Sequence, residues 1–260
     1  MDFFLEKQNK RRKVVATAVV TYLLVAVYAY AYLQLHNLYV TVSADALLII
    51  LMTFSGFLVW LAIGGGNNFG MLITMIYPPM IYLVTSILYV TSASSASTQL
   101  LLALIFGVGY YLLLLAMNVL YVSSFKKIPL RQVGLSTLFL TGIIIFILLG
   151  VYIANSGWGI NVGSFAWWIA ICLFGYAYIR QIKEARFIVE LGLFAVVTLE
   201  LMFLINFWPS NVAIAMVALA GWSFVFLGLI QHHLQKDLTK AITSEFLLIS
   251  LVLLLAYLIV

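Results

Sequence analysis

Long apolar runs follow one another along nearly the whole chain, and they restrict its fold more than any other feature. A helix needs about 20 apolar residues to cross about 30 Å of hydrocarbon. The sequence contains nine runs of roughly this length, and we predict a membrane span in each: Val14–Tyr32, Ala46–Ile63, Met71–Val90, Leu100–Val122, Val133–Ile153, Phe165–Ile179, Phe187–Trp208, Val212–Ile230 and Phe246–Val260.

Composition agrees with this interpretation and excludes a soluble fold. Hydrophobic residues make up 65% of the chain and charged residues only 8%, whereas soluble domains carry about 25% charged residues. In lipid, every backbone polar group must be satisfied internally, so only helices and closed barrels span. Barrel strands would alternate over about 10 residues. The unbroken runs therefore predict an all-α polytopic bundle.

The basic residues predict the orientation of this bundle. Short cytoplasmic loops retain Lys and Arg. All 13 Lys and Arg residues of the chain lie on one side of the nine-span arrangement. They occupy the N-terminal tail and the connections after the fourth, sixth and eighth spans. We therefore predict a cytoplasmic N-terminus. The same sorting explains the net charge of +5 without a nucleic-acid partner.

No domain boundary is visible, so we expect a single transmembrane domain over residues 1–260. Residues 1–13 form its basic cytoplasmic tail. Residues 231–245 have apolar side chains on one helical face and Lys236, Thr239 and Lys240 on the other. That spacing is typical of a short amphipathic helix on the inner membrane surface, and an ordinary helical linker is the alternative. The final run has only 15 residues, so it crosses only if its helix begins near Thr243 or the bilayer thins. If it does not cross, the bundle has eight spans.

Two ionisable residues lie inside a predicted span, and such residues are candidates for function because charge in a bilayer is costly. Glu190 lies about one turn inside the seventh span, four residues after Arg186, and an ion pair with that residue explains it. Glu200 lies past the middle of the same span, where the chain has no Lys or Arg. It is either a proton-carrying or cation-binding group in a translocation path, or a neutral acid hydrogen-bonded to another helix or subunit. In both cases we expect it to face the bundle interior.

A double proline marks the third span, in the sequence Tyr77-Pro78-Pro79. Proline removes a backbone donor and clashes with the preceding turn of a helix. The pair predicts a bend of more than 20° or a non-helical break. Broken helices form substrate sites in many transporters, and a packing kink is the alternative.

The remaining polar residues match no catalytic or cofactor motif. A retinal Schiff base would need a lysine in a late span, and a zinc protease would need His-Glu-x-x-His. The single cysteine, Cys172, excludes an intramolecular disulfide. We expect no cofactor and no metal. These residues favour a protein without enzymatic activity over an enzyme.

Two functional hypotheses follow. The first is a small transporter or permease-like protein, with Glu200 and the Tyr77–Pro78–Pro79 break as translocation or ligand candidates. The second is a non-catalytic membrane subunit that scaffolds or assembles a larger complex. The expected location is the plasma or inner cell membrane, and the expected partners are membrane lipids and other membrane subunits.

Overall fold

The computed structural model describes eight stretches of the chain: 12–28, 41–63, 69–93, 95–125, 130–155, 160–182, 187–207 and 212–259. These residues form nine helices and no strand: α1 over 12–28, α2 Thr41–Ile63, α3 Phe69–Thr91, α4 Ala96–Phe125, α5 Arg131–Asn155, α6 Ile160–Ile182, α7 Ile188–Phe207, α8 Val212–Gln235 and α9 Lys240–Ile259.

Each helix coincides with one of the predicted apolar runs. In the described stretches six helices are long and apolar enough to cross a membrane, namely α3, α4, α5, α6, α8 and α9. The last of these, α9, begins at Lys240 and has 20 residues, about 30 Å of helix, so it is long enough to cross. The chain is an all-α, multi-pass membrane protein, as its sequence predicts.

Helix α3 runs without interruption from Phe69 to Thr91, and both prolines lie inside it. The predicted non-helical break at Tyr77–Pro79 is therefore wrong. A proline ring disturbs only the turn before it, and α3 continues for three more turns beyond Pro79. Pro78 and Pro79 are buried and Tyr77 is half-buried. The predicted bend of more than 20° stays a prediction.

Residues 231–245 are divided between two helices rather than forming one surface helix. Lys236 ends α8 in the left-handed region, with φ of 61°. Its N–H donates to the carbonyl of His233 and that of Asp237 to the carbonyl of His232, both at 3.2 Å, which is the pattern of a Schellman C-cap. The Thr239 hydroxyl then accepts from the N–H of Ile242 at 3.3 Å and caps the start of α9.

The contacts divide the chain into two compact units, with the boundary inside α5: residues Met1–Thr141 and Gly142–Val260. In the first unit, α1 presents a buried stripe at helical spacing, formed by Val14, Ala18, Thr21, Val25 and Tyr28. Such spacing aligns residues three and four apart on one face. The core of this unit combines that face with aromatic side chains of α3 and α4.

The second unit has its core between α5, α6, α7 and α8. The indole N–H of Trp167 donates to the carbonyl of Phe146 at 3.0 Å, and the rings of Phe146 and Phe174 meet edge to face at 5.2 Å. Near the end of α6 the hydroxyl of Tyr178 donates to the side-chain oxygen of Gln231 at 2.6 Å. These bonds tie α6 to α5 and to α8.

Candidate functional site

Glu200 lies on the outer surface of α7. It is the thirteenth residue of a 20-residue helix, about 18 Å along the axis from Ile188, and its side chain is exposed. The expectation that it faces the bundle interior is therefore wrong. Within the described residues no hydrogen bond or ion pair reaches its carboxyl group. Arg186, the expected partner of Glu190, lies outside the described residues.

The opposite face of α7 explains this orientation. Phe194, Thr198 and Met202 are buried, and at about 100° per residue Thr198 and Met202 lie about 160° from Glu200 around the helix. The indole N–H of Trp168 on α6 donates to the carbonyl of Ala195 at 2.9 Å. A large apolar face and this bond fix the rotation of α7, and Glu200 is consequently directed outward.

Glu200 is the single acidic member of an otherwise apolar exposed stripe, which we call the Glu200 face. Its members all lie on α7 and are exposed to at least a third of their surface: Val189, Gly192, Leu193, Val196, Glu200 and Phe203. No atom lies within 4 Å of the position that a side chain on Gly192 would occupy. The face is therefore open along its whole described length.

A wide apolar groove runs beside this face in the same unit. It has a volume of about 490 Å³ and is lined by Val197 and Leu201 of α7 together with α8 and α9 side chains such as Trp222 and Phe246. The residues that line it are nearly all apolar, and Glu200 is not among them. This groove accordingly has no polar group suited to a hydrophilic substrate.

Tyr77, Pro78 and Pro79 belong to the first unit, whereas Glu200 belongs to the second. The two prolines are buried and Tyr77 is half-buried, and α3 packs against both α2 and α4 in that unit. The role of this segment as a ligand or translocation candidate stays a prediction.

Sequence reasoning missed a cluster of buried hydroxyl groups between α1, α3 and α4. The Tyr82 hydroxyl donates to the carbonyl of Phe106 at 3.1 Å, and the Ser86 hydroxyl donates to the carbonyl of Tyr82 at 2.7 Å. Thr21 and Tyr110 line the same cavity of about 10 Å³. This is space for about one water molecule.

No sequence pattern could have identified the cluster, because its members lie on three helices and each hydroxyl is common in apolar spans. Within the described ranges, His, Cys, Asp and Glu form no group of three that could hold a metal ion.

Comparisons with protein-family models, with curated proteins and with solved structures each find no match. A function must therefore be argued from the site alone, and the exposed Glu200 is the feature that ordinary packing explains least.

Proposed function

We propose that this protein is a non-catalytic membrane subunit that assembles with other membrane segments through the Glu200 face. One observation carries the proposal: a carboxyl group lies deep in an apolar helix, exposed and without a partner among the described residues. A polar group directed at lipid costs several kcal/mol. A partner helix that hydrogen-bonds the group removes that cost.

Helix α9 provides the contrast. It is also exposed over most of its surface. Glu245 is exposed in its second turn, but the exposed side chains beyond that turn are apolar, for example Leu247, Leu251 and Leu255. Lipid chains cover such a surface at no electrostatic cost. Lipid explains this apolar surface, and Glu245 lies within two turns of the start of α9, close to the polar headgroups. The carboxyl of Glu200, at the thirteenth position of α7, has no such explanation among the described residues.

The transporter hypothesis has less support. It needs a polar cavity that contains Glu200, and the described groove next to α7 is apolar and excludes it. Its second support was a bend or a break at Tyr77–Pro79. Helix α3 has no break there, and the bend stays a prediction. An enzyme would need a cluster of reactive side chains, and the buried hydroxyl cluster of the first unit has neither a base nor an acid among its described members.

We further propose that the protein lies in the plasma or inner cell membrane with its N-terminus in the cytoplasm. The support for this orientation is the one-sided distribution of Lys and Arg along the sequence. Membrane lipids then contact α9, and protein subunits contact the Glu200 face of α7.

Site-specific photo-crosslinking in native membranes tests the proposal. A photoreactive amino acid replaces Val196 on the Glu200 face, and the matched control carries it at Leu251 on α9. The two side chains are exposed to 52% and 55%, so both probes reach the membrane equally. We expect protein adducts of defined mass from position 196 and lipid adducts from position 251. Lipid adducts alone from both positions would contradict the proposed function.

A further inference from the structure

We infer that the Glu200 face binds a second copy of this chain, and that the two Glu200 carboxyl groups hydrogen-bond each other across the dimer axis. The inference rests on the proposed function, since it names the partner for the same face. It follows from the depth of Glu200, the chemistry of a neutral carboxyl group and the spacing of the exposed residues.

Depth is the first argument. A partner must supply a hydrogen-bonding group about 18 Å along α7 from Ile188. A second copy inserted with the same topology carries Glu200 at the same depth by symmetry. In a twofold interface each residue near the axis meets its own counterpart. Any other protein would need its own polar residue at the matching depth.

Chemistry is the second argument. Ionised carboxylates only accept hydrogen bonds, whereas a protonated carboxyl group has one O–H donor and one carbonyl acceptor. Two neutral carboxyl groups therefore satisfy each other with a pair of reciprocal hydrogen bonds. Such a pair carries no charge, and burying a charge in hydrocarbon costs far more than burying a hydrogen-bonded polar group.

A Lys or Arg side chain on the partner helix would be the other way to pair the Glu200 carboxyl group. This chain cannot supply one to a second copy, because all of its Lys and Arg residues lie in the tail and in the connections between predicted spans. A different protein would need a Lys or Arg near the bilayer centre, which is itself costly to insert. The pair of neutral acids needs no such residue.

Spacing is the third argument. Val189, Leu193, Val196, Glu200 and Phe203 are all exposed, and successive members are four, three, four and three residues apart. This repeat lets two helices pack along a left-handed crossing with their side chains interlocked. Glu200 takes a central position in that seam, where a single polar residue specifies register and oligomeric state in coiled coils. Gly192 lies open next to the seam and permits close approach.

Cysteine crosslinking of the full-length protein in native membranes tests the inference. In a Cys172→Ser background, Val196→Cys and Phe203→Cys each place one thiol on the seam, and Leu251→Cys is the control of equal exposure on α9. Mild oxidation joins two thiols only when they meet. We expect a covalent dimer of two 29.0 kDa chains from positions 196 and 203, and none from position 251.

Two substitutions of Glu200 separate hydrogen bonding from apolar packing. Glu200→Gln keeps one donor and one acceptor, so we expect it to dimerise like the parent. Glu200→Leu keeps a side chain of similar size but removes its hydrogen-bonding groups. The fold should therefore persist, while the affinity of the dimer falls about tenfold. The Trp167 and Trp168 bonds to α5 and α7 make tryptophan fluorescence a readout of correct folding in each variant.

The outcomes distinguish the two proposals. Dimers at 196 and 203 that weaken in Glu200→Leu but persist in Glu200→Gln support the inference. Photo-adducts at 196 to a different protein, with no disulfide dimer, overturn the inference and leave the proposed function standing. Dimerisation that is equal in Glu200→Leu and the parent also overturns it, because the carboxyl pair would then contribute nothing.

Discussion

At the scale of single residues, Glu200 illustrates how depth and direction are separate properties. Its depth follows from counting along an apolar run. Its direction does not, because apolar residues surround α7 on all sides and no polar stripe marks the outer face. Only the packing of Phe194 and Thr198 and the Trp168 hydrogen bond orient the helix.

The hydroxyl cluster in the first unit depends on a single glycine. A methyl group added at Gly109 would overlap the Tyr82 hydroxyl, which bonds the carbonyl of Phe106. We expect Gly109→Ala to lower the free energy of unfolding by about 1–3 kcal/mol, as overpacking does. Thermal unfolding of the purified protein in detergent measures this.

The matched control for that prediction is Gly56→Ala in the same unit. Its added methyl group would come closest to the flexible Met80 side chain, at 3.2 Å, and would meet Ile76 at an ordinary contact distance of 3.7 Å, so the loss of stability should be smaller. Adding Tyr82→Phe to Gly109→Ala removes the overlapping hydroxyl and should restore part of the loss. Equal stability of Gly109→Ala and the parent would show that Tyr82 does not approach α4 this closely.

At the scale of elements, the ends of helices depend on residues that the apolar runs do not reveal. The Ser95 hydroxyl accepts from the N–H of Thr98 at 3.1 Å and caps α4, so the helix starts four residues before the predicted span at Leu100. Helix α3 shows the opposite effect. Its two prolines predict an interruption of the helix, but Pro78 and Pro79 are buried and the helix continues through them. Packing on neighbouring helices decides such cases.

The turn between α8 and α9 provides a test at this scale. Lys236 adopts a left-handed conformation, which costs a residue with a side chain about 1–2 kcal/mol. We expect Lys236→Gly to raise the free energy of unfolding by about 1 kcal/mol. Lys236→Val should lower it, because a β-branched side chain tolerates this conformation least.

Both variants remove the same charge, so a difference between their unfolding temperatures reports on backbone conformation alone. The His232 to Asp237 contact across the turn, at 3.0 Å, should persist in both. If Lys236→Gly and Lys236→Val were equally stable, the left-handed turn at residue 236 would be wrong.

At the scale of the whole molecule, the distribution of basic residues predicts one topology. The N-terminus and the connections that contain Lys126, Arg186 and Lys240 should be cytoplasmic. The connections that contain Asp45, Ser95 and Gly159 should be external. Single cysteines placed at these sites in a Cys172→Ser background, and treated with a membrane-impermeant thiol reagent on intact cells, measure this.

External cysteines should react with the reagent and cytoplasmic ones should react only after the membrane is permeabilised. The cysteine at position 95 is the best internal control, because its position at the start of α4 is described directly. Labelling of position 126 on intact cells would overturn the topology, since one misplaced span reverses every later connection.

The sequence by itself determined the class of this protein and the number and order of the nine helices in its described stretches. Apolar runs suffice for that, because in lipid each helix satisfies its own backbone groups without help from its neighbours. The continuity of α3, the hydroxyl cluster of Thr21, Tyr82 and Tyr110, and the outward direction of Glu200 were decided by tertiary structure. Each depends on which face of one helix packs against another, and helices that are apolar all round carry no sequence signal for that choice.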